Sequence, residues 1–367
     1  MNFTFSIPTK LVVGKNCVRE NAGMLAGFGK KALLVTGARS AKANGAQSDT
    51  AAALAANGQD WVLFDRVPAN PTVDCVYAGA EAARRVGADF VIGIGGGSAM
   101  DAAKGIALLA CEDIPRDKIF SGGYRERLPL CCVPTTAGTG SETTQYAILT
   151  NDAAQTKTSL ASPVLFPDLA LLDSRYLSTL SQNTMTNTVL DAFSHAAEGF
   201  LSKKASPLTD ALALESIGVI AACFPALQFS CLTDEDRERL LYASMLGGMV
   251  IAHTGTSAVH SMGYSLTYFK HIEHGRANGL LLPAYLRFAE RQCPKRVAAL
   301  TEAALVPDVA ALDKNFAALL GLREMITSEE IAQFSAIAVQ AKNFVNGLAV
   351  PSRTETEELY REAFGLS

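Results

Sequence analysis

Between Leu11 and Asp173 short apolar runs alternate with helical patterns, and this alternation limits the fold more than any other feature. Ala32–Thr36, Trp61–Phe64, Phe90–Ile94 and Leu130–Val133 are continuous apolar segments of strand length. Asp49–Ala56, Val73–Val86 and Ala99–Ala110 lie between them and carry helical spacing. Phe3–Phe5 and Leu11–Val13 read as two further short strands around Pro8. Strands apolar on both faces and separated by helices belong in a parallel sheet covered on both sides. Near Pro167–Asp173 the pattern changes. Thr188–Leu201, Ser206–Leu227, Asp234–Ala252, Gly255–Tyr268, Ala277–Arg291 and Ser328–Ala341 all read as helices. Pro207, and Thr233 ahead of Asp234-Glu-Asp236, are helix-start signals. The sequence predicts an α/β domain over residues 1–180 and an all-α domain over 181–367, without internal repeats or a long linker. Two such halves are expected to share a cleft, where ligands collect.

Composition narrows the classes of function. The chain has 367 residues, of which 49% are hydrophobic and 19% charged, a balance that fits a packed protein and excludes disorder. A formal net charge of −4 argues against a nucleic-acid surface, which needs a basic stripe. Met1-Asn-Phe-Thr-Phe-Ser-Ile-Pro8 has no basic region and no long apolar stretch, so no signal peptide is expected. The 8 cysteines form no C-x-x-C pair and read as reduced core residues of a cytoplasmic protein. Leu240–Phe269 carries no Asp, Glu, Lys or Arg and is long enough to span a bilayer. Its two histidines, hydroxyl residues and glycines suit a helix buried in protein, so no membrane partner is expected.

Gly93-Ile-Gly-Gly-Gly-Ser98 follows a strand and precedes a helix. Glycines let the backbone approach a ligand, and a helix N-terminus offers N–H groups and partial positive charge. The loop therefore reads as a pyrophosphate cradle, or else as a plain tight turn. It is neither the usual dinucleotide fingerprint, because Ser98 stands at the third glycine, nor a P-loop. Pro134-Thr-Thr-Ala-Gly-Thr-Gly-Ser141 is a second loop of small and hydroxyl residues after a strand. It supplies donors to a ligand, or caps itself locally. After the strand ending at Thr36 come Gly37, Arg39, Ser40 and Lys42. An acidic residue there would hold the ribose of NAD, whereas small and basic residues admit the 2′-phosphate of NADP. The plain alternative is a solvated helix start.

Only 5 histidines occur, and all lie between His195 and His274. Asp191 and His195 are four apart on a predicted helix and share a face. One carboxylate and one imidazole so placed can bind a single divalent ion. His260 and His274 complete a possible His3Asp set, which suits Fe2+ or Zn2+. Each of these histidines has an ordinary core or helix-end role as its alternative. His253 reads as a helix-end or packing residue. His271 is a candidate proton relay at the mouth of the site. Glu198, about one turn beyond His195, either supports a ligand or lies on the surface.

Four motifs in order, Gly95–Lys104, Pro134–Glu142, Asp191–Glu198 and His274–Pro283, resemble the iron-containing (group III) alcohol dehydrogenase family. The resemblance extends over nearly the whole chain. It implies a Rossmann-like N-terminal domain with a parallel sheet and a helical C-terminal domain, the fold of the dehydroquinate synthase-like superfamily. It implies metal ligation by Asp191, His195, His260 and His274, with Fe2+ as the expected ion and Zn2+ as the other fit. Gly95, Gly96, Gly97 and Ser98 carry over to the cofactor pyrophosphate. Asp101, Thr135, Thr136, Thr139 and Lys157 carry over to other cofactor contacts, and Asn70 to the adenosine ribose. Gly37, where many members have Asp, inclines the reading to NADP(H) over NAD(H). Several members carry a further histidine four residues after the third ligand, where this chain has Tyr264. The function implied is metal-dependent hydride transfer between NAD(P)(H) and a short primary alcohol, diol or aldehyde, by a cytoplasmic homo-oligomer, a dimer or larger. Glycerol-dehydrogenase-like and maleylacetate-reductase-like enzymes, a dehydroquinate-synthase-like lyase and a non-catalytic metal-binding protein are the alternatives. The lyase would want many basic residues in the second half, where the motifs offer chiefly Lys270 and Arg276.

Overall fold

The computed structural model describes residues 2–366. Its strands are β1 (Lys10–Val13), β2 (Lys31–Thr36), β3 (Asp60–Phe64), β4 (Phe90–Gly95), β5 (Leu130–Pro134), β6 (Tyr146–Asn151), β7 (Thr156–Ala161) and β8 (Leu169–Leu172). Helices α1 (Cys17–Glu20), α2 (Ser40–Ala43), α3 (Ala46–Ala56), α4 (Val73–Val86) and α5 (Gly97–Cys111) lie among them. Six strands form one sheet in the order β1-β8-β5-β4-β2-β3, with every pairing parallel. Side chains alternate across it. Leu33, Val35, Val91, Leu130 and Cys132 join one apolar layer with Val76 and Ile106. Ala32, Leu34, Phe90, Ile92, Cys131 and Val133 join the opposite layer with Leu25 and Leu54. Burial on both faces is why β4, β5 and the Ala32–Val35 stretch of β2 carry no charged side chain. Leu34 and Phe90 are fully buried, and each such side chain contributes roughly 1.5–3 kcal/mol.

From β2 the chain moves outward to β3, then returns to β4 on the other side of β2 and continues to β5. The carboxyl ends of β2 and β4 therefore flank a topological switch point, where open α/β sheets bind ligands. Gly93 lets α5 lie close on β4. A Cβ there would stand 2.7 Å from the Ala103 Cβ and 3.2 Å from the Met100 Cα.

Helix α5 is buried along nearly its whole length, including Lys104. The Lys104 ammonium donates to Ser141 O at 2.7 Å, Ser141 Oγ at 2.8 Å, Thr144 Oγ1 at 3.1 Å and Tyr146 O at 2.6 Å. Asp101, expected among the cofactor contacts, is instead engaged inside the protein. Its Oδ1 accepts from the Ser141 hydroxyl at 2.6 Å and its Oδ2 from the Ile148 amide at 3.0 Å. The motif position did not reveal that the side chain turns inward to tie α5 to β6.

The second unit is helical: α6 (Gln182–Phe200), α7 (Pro207–Ala222), α8 (Phe224–Gln228), α9 (Asp234–Thr254), α10 (Ala258–Lys270), α11 (His274–Glu290), α12 (Pro294–Ala303), α13 (Val309–Leu320), α14 (Ser328–Ala338) and α15 (Arg353–Phe364). Side-chain caps open several of them, including Ser181 on α6, Ser206 on α7 and Thr233 on α9. Helix α6 is the hub and packs against α7, α9 and α11. Small residues permit this. A Cβ at Gly199 would stand 2.2 Å from Val250 Cγ1, and one at Gly275 only 1.9 Å from the Asn187 carbonyl oxygen. The compact units comprise Ser6–Thr136 with Gly140–Leu180, and Ala137–Thr139 with the chain from Ser181 onward and the segment ending at Phe5.

Several local expectations differ from the structure. Phe3–Phe5 forms no strand; Phe5 stacks on His253 at 4.1 Å between ring centroids. The helix expected over Ser206–Leu227 breaks at Cys223, two residues before Pro225, which has no N–H for an α7 carbonyl. The antiparallel pair β6–β7 was not foreseen, because Thr156-Lys-Thr-Ser159 lacks an apolar period. Helices α12, α13 and α15 were also missed. The uncharged stretch divides into α9 and α10 around Gly255, at φ 67°. Among the described residues no helix is long and apolar enough to cross a membrane. All eight cysteines are free thiols.

Glu142 follows the Lys104 network and is buried, with its Oε1 lacking a hydrogen-bond partner. Burial pushes its carboxyl up to about 7. The folded chain thus holds this proton more tightly than the unfolded chain, whose carboxyl titrates near the ordinary glutamate value. Stability from this group is full below that value and is lost as pH rises toward 7. Glu142→Gln should therefore gain on the wild type by about 2 kcal/mol between pH 5 and pH 8. Denaturant unfolding of both proteins at the two pH values checks this; a constant difference would refute it.

Candidate metal centre and cofactor cradle

Asp191 and His195 lie one turn apart on the buried face of α6. His260 comes from the first turn of α10, and His274 opens α11. The α10–α11 connection is short because His271 ends α10 in a left-handed conformation, φ 55°. Glu273 then accepts from Asn187 Nδ2 at 2.8 Å, which fastens the connection to α6. Gly275 completes the approach, since any side chain there would strike the α6 backbone.

One ligand-type atom from each of Asp191, His195 and His260 lies within 4.8 Å of the others. His260 Nε2 is 3.6 Å and His274 Nε2 3.8 Å from Asp191 Oδ1. Ligands about 2.1 Å from a tetrahedral ion stand about 3.4 Å from one another. The His195 and His260 rings stack at 4.6 Å. His195 Nδ1 faces the Gly138 carbonyl at 3.2 Å, so this nitrogen donates and Nε2 is left as an acceptor. His260 Nδ1 contacts Glu198 Oε2, while its Nε2 is buried without a hydrogen-bond partner. An unpartnered nitrogen beside a buried carboxylate and further imidazoles fits a divalent cation. Asn278, buried on α11, donates to Asp191 Oδ1 at 2.8 Å and lies 3.3 Å from His274 Nε2.

The electrostatics follow from mutual burial. Burial opposes the Asp191 charge, but His195, His274 and His260 outweigh it and hold the carboxyl well below the usual range. Burial likewise disfavours a charged His260, yet Glu198 and Asp191 raise its pKa to about 9. For His195 burial prevails and lowers the value.

The remaining predicted residues divide clearly. Glu198 is fully buried and bonded to His260, not on the surface. His253 Nδ1 donates to Met249 O within α9 and the ring packs on Phe5, a helix-end role. His271 is exposed and serves as the α10 stop. Tyr264 stacks on the His274 ring, with centroids 5.7 Å apart. Asn278, inside the His274–Pro283 motif, is a further residue of the site, and the only sign of it in the sequence is its position one turn after His274.

In the α/β unit, the switch-point loops come together. Gly95 has φ 153°, and α5 starts two residues later at Gly97, with Gly96 as an N-cap that has no side chain. Thr135 N donates to Gly95 O at 2.9 Å. The Thr136 hydroxyl, beside Gly96, is buried without a partner. The Ser98 hydroxyl donates to Ala69 O, which draws the exposed Asn70 toward the glycine loop. Lys157 on β7 stands opposite Thr150, whose amide donates to Pro71 O at 2.8 Å. Gly37 follows β2, with Arg39 and Ser40 exposed behind it. Thr139 belongs to the short segment that clusters with the helices.

Residues 8–174 match the family described as iron-containing alcohol dehydrogenase, and residues 185–364 match the C-terminal domain of the Fe-containing alcohol dehydrogenase family. The 1,3-propanediol dehydrogenase of Citrobacter freundii is 31% identical over 99% of this chain and 99% of its own length. The sulfoacetaldehyde reductase of Bilophila wadsworthia (strain 3_1_6) is 32% identical over 81% of this chain and 78% of its own. The crystal structure of an iron-containing alcohol dehydrogenase from Thermotoga maritima superposes with a TM-score of 0.93 at 34% identity, covering 100% of both chains. The parallel sheet, the helical second unit and the Asp–His cluster agree with these matches: the chain belongs to the iron-containing alcohol dehydrogenase family and is an NAD(P)-dependent enzyme of that type.

Proposed function

We propose that the enzyme transfers a hydride between NADP(H) and a short primary alcohol or diol, or the corresponding aldehyde, at an Fe2+ held by Asp191, His195, His260 and His274. The convergence of these four side chains around the partnerless His260 Nε2 carries the reading. When bound, the ion supplies Lewis-acid polarisation of the substrate oxygen, and the nicotinamide gives or takes the hydride. Zn2+ suits the same donor set.

The chain's own residues prepare that chemistry. Asp191 contributes the negative charge among the ligands, and Asn278 orients it. Gly138 and Glu198 take the Nδ1 protons, so that the Nε2 atoms are the nitrogens turned to the ion, the His260 ring giving up its Nε2 proton as the ion binds. Gly95, Gly96, Gly97 and Ser98, at the N-terminus of α5, would take the pyrophosphate, and the Thr136 hydroxyl has an unused hydrogen-bonding position for the cofactor. Thr135, Thr139, Lys157 and Asn70 join this set. Gly37 with Arg39 and Ser40 leaves room and positive charge for a 2′-phosphate. The substrate class is supported by the relatives named for 1,3-propanediol and sulfoacetaldehyde.

His260→Ala is expected to remove bound metal and turnover together. Elemental analysis and NADPH absorbance with short aldehydes, run on one Fe2+-reconstituted preparation, check this. Full turnover in metal-free protein would overturn the assignment. The cofactor choice has its own test. A Cβ at Gly37 would meet only Val67 O, at an ordinary 3.6 Å, so an aspartate fits there. Gly37→Asp should lower kcat/KM with NADPH by about tenfold or more, through repulsion of the 2′-phosphate, and spare NADH. Equal loss with both cofactors would count against NADP(H).

A further inference from the structure

Glu198 lies seven residues after Asp191 on α6, two turns along the same face, and is fully buried. Its Oε1 accepts from Ser257 N at 2.9 Å, Ser257 Oγ at 2.7 Å, Val259 N at 2.9 Å and His260 N at 3.4 Å. Its Oε2 contacts His260 Nδ1. The first amides of a helix have no partner within it and need acceptors when buried. Helix α10 has no cap from its own N-cap side chain, Ser257. A carboxylate from a different helix fills that role and grips the imidazole in the same first turn.

We propose that Glu198 is a positioning residue that locks His260 to the start of α10 and so sets the metal affinity of the site without touching the ion. The proposal rests on the reading of His260 as a ligand. Three physical effects combine. The bond to Nδ1 fixes the proton there and leaves Nε2 as the ligating nitrogen. The bonds to the amides hold the backbone that carries the ring. The negative charge offsets the partial positive charge of the helix start, which would otherwise oppose a cation bound by its first turn. Asp191 and Glu198 together also balance the two charges of a divalent ion when the three imidazoles are neutral.

The test uses the full-length protein, stripped with a chelator and titrated with Co2+. Glu198→Gln keeps the size of the side chain and an acceptor oxygen. However, its single carbonyl oxygen cannot serve both the α10 amides and the imidazole N–H. The expected result is a Co2+ Kd raised about 10–100-fold, with altered visible absorption bands of the bound ion. A purely structural cap would lower the thermal midpoint of the metal-free protein while leaving Kd and spectrum at wild-type values, and that result overturns the proposal. Should Glu198→Gln fail to fold, Ser257→Ala removes the shortest of the Oε1 contacts and leaves His260 in place. It should raise Kd about threefold, and an unchanged Kd overturns the proposal equally. If His260→Ala binds Co2+ as the wild type does, the ligand assignment itself falls. Loss of binding in that variant beside wild-type binding in Glu198→Gln sinks only the role of Glu198.

Discussion

Two carboxylates buried on one face of α6 set the conditions that the helical unit must meet. An unpaired charge cannot be taken into a protein interior without neighbours that bond or neutralise it. Asp191 obtains Asn278 from α11 and imidazoles from α6, α10 and α11. Glu198 obtains the opening turn of α10 and its histidine. Apolar burial alone would let these helices slide against one another by fractions of a turn. The polar demands admit few registers. Gly199 and Gly275 then allow the backbones to close to the distance those bonds require.

The α/β unit solves a different problem with different means. Its switch-point loops present backbone groups, hydroxyls and the start of a helix. Two of its buried ionisable side chains, Lys104 and Asp101, hold α5 to the β6 region. The switch point between β2 and β4 is a property of strand order, so it persists whatever the individual side chains are. The positions after β2, where Gly37 stands with Arg39 and Ser40 exposed behind it, are the ones on which the proposed choice of NADP(H) rests.

Much of this was legible in the sequence, for identifiable reasons. The central strands of the sheet are apolar on both faces, so they announce themselves without any tertiary information. Asp191 and His195 are linked by helical spacing alone. His260 and His274 are not, because the turn at His271 that joins their helices leaves no periodic trace. The hairpin β6–β7 was silent because its second strand is polar. Asp101 and Glu198 misled or stayed ambiguous for a shared reason. A carboxylate in a helical motif looks the same whether it faces a ligand, the solvent or the interior, and only the surrounding donors distinguish these cases. Asn278 was overlooked because an amide carries no charge to mark it.

The hydrogen bond from His195 to Gly138 has a consequence for the architecture. The accepting carbonyl belongs to a stretch of three residues that lies 57 positions upstream of its histidine, inside the part of the gene that otherwise encodes the sheet. Phe5, which covers His253, comes from still earlier. The helical unit is therefore not a contiguous module. A cut at Leu180 would yield a C-terminal fragment deprived of two of its own packing elements, and an N-terminal fragment carrying pieces that belong elsewhere. The carbonyl that orients the His195 ring is thus supplied by a stretch of sequence flanked on both sides by the α/β unit, so the helical unit cannot be cut out as one continuous segment without stripping that histidine of its partner.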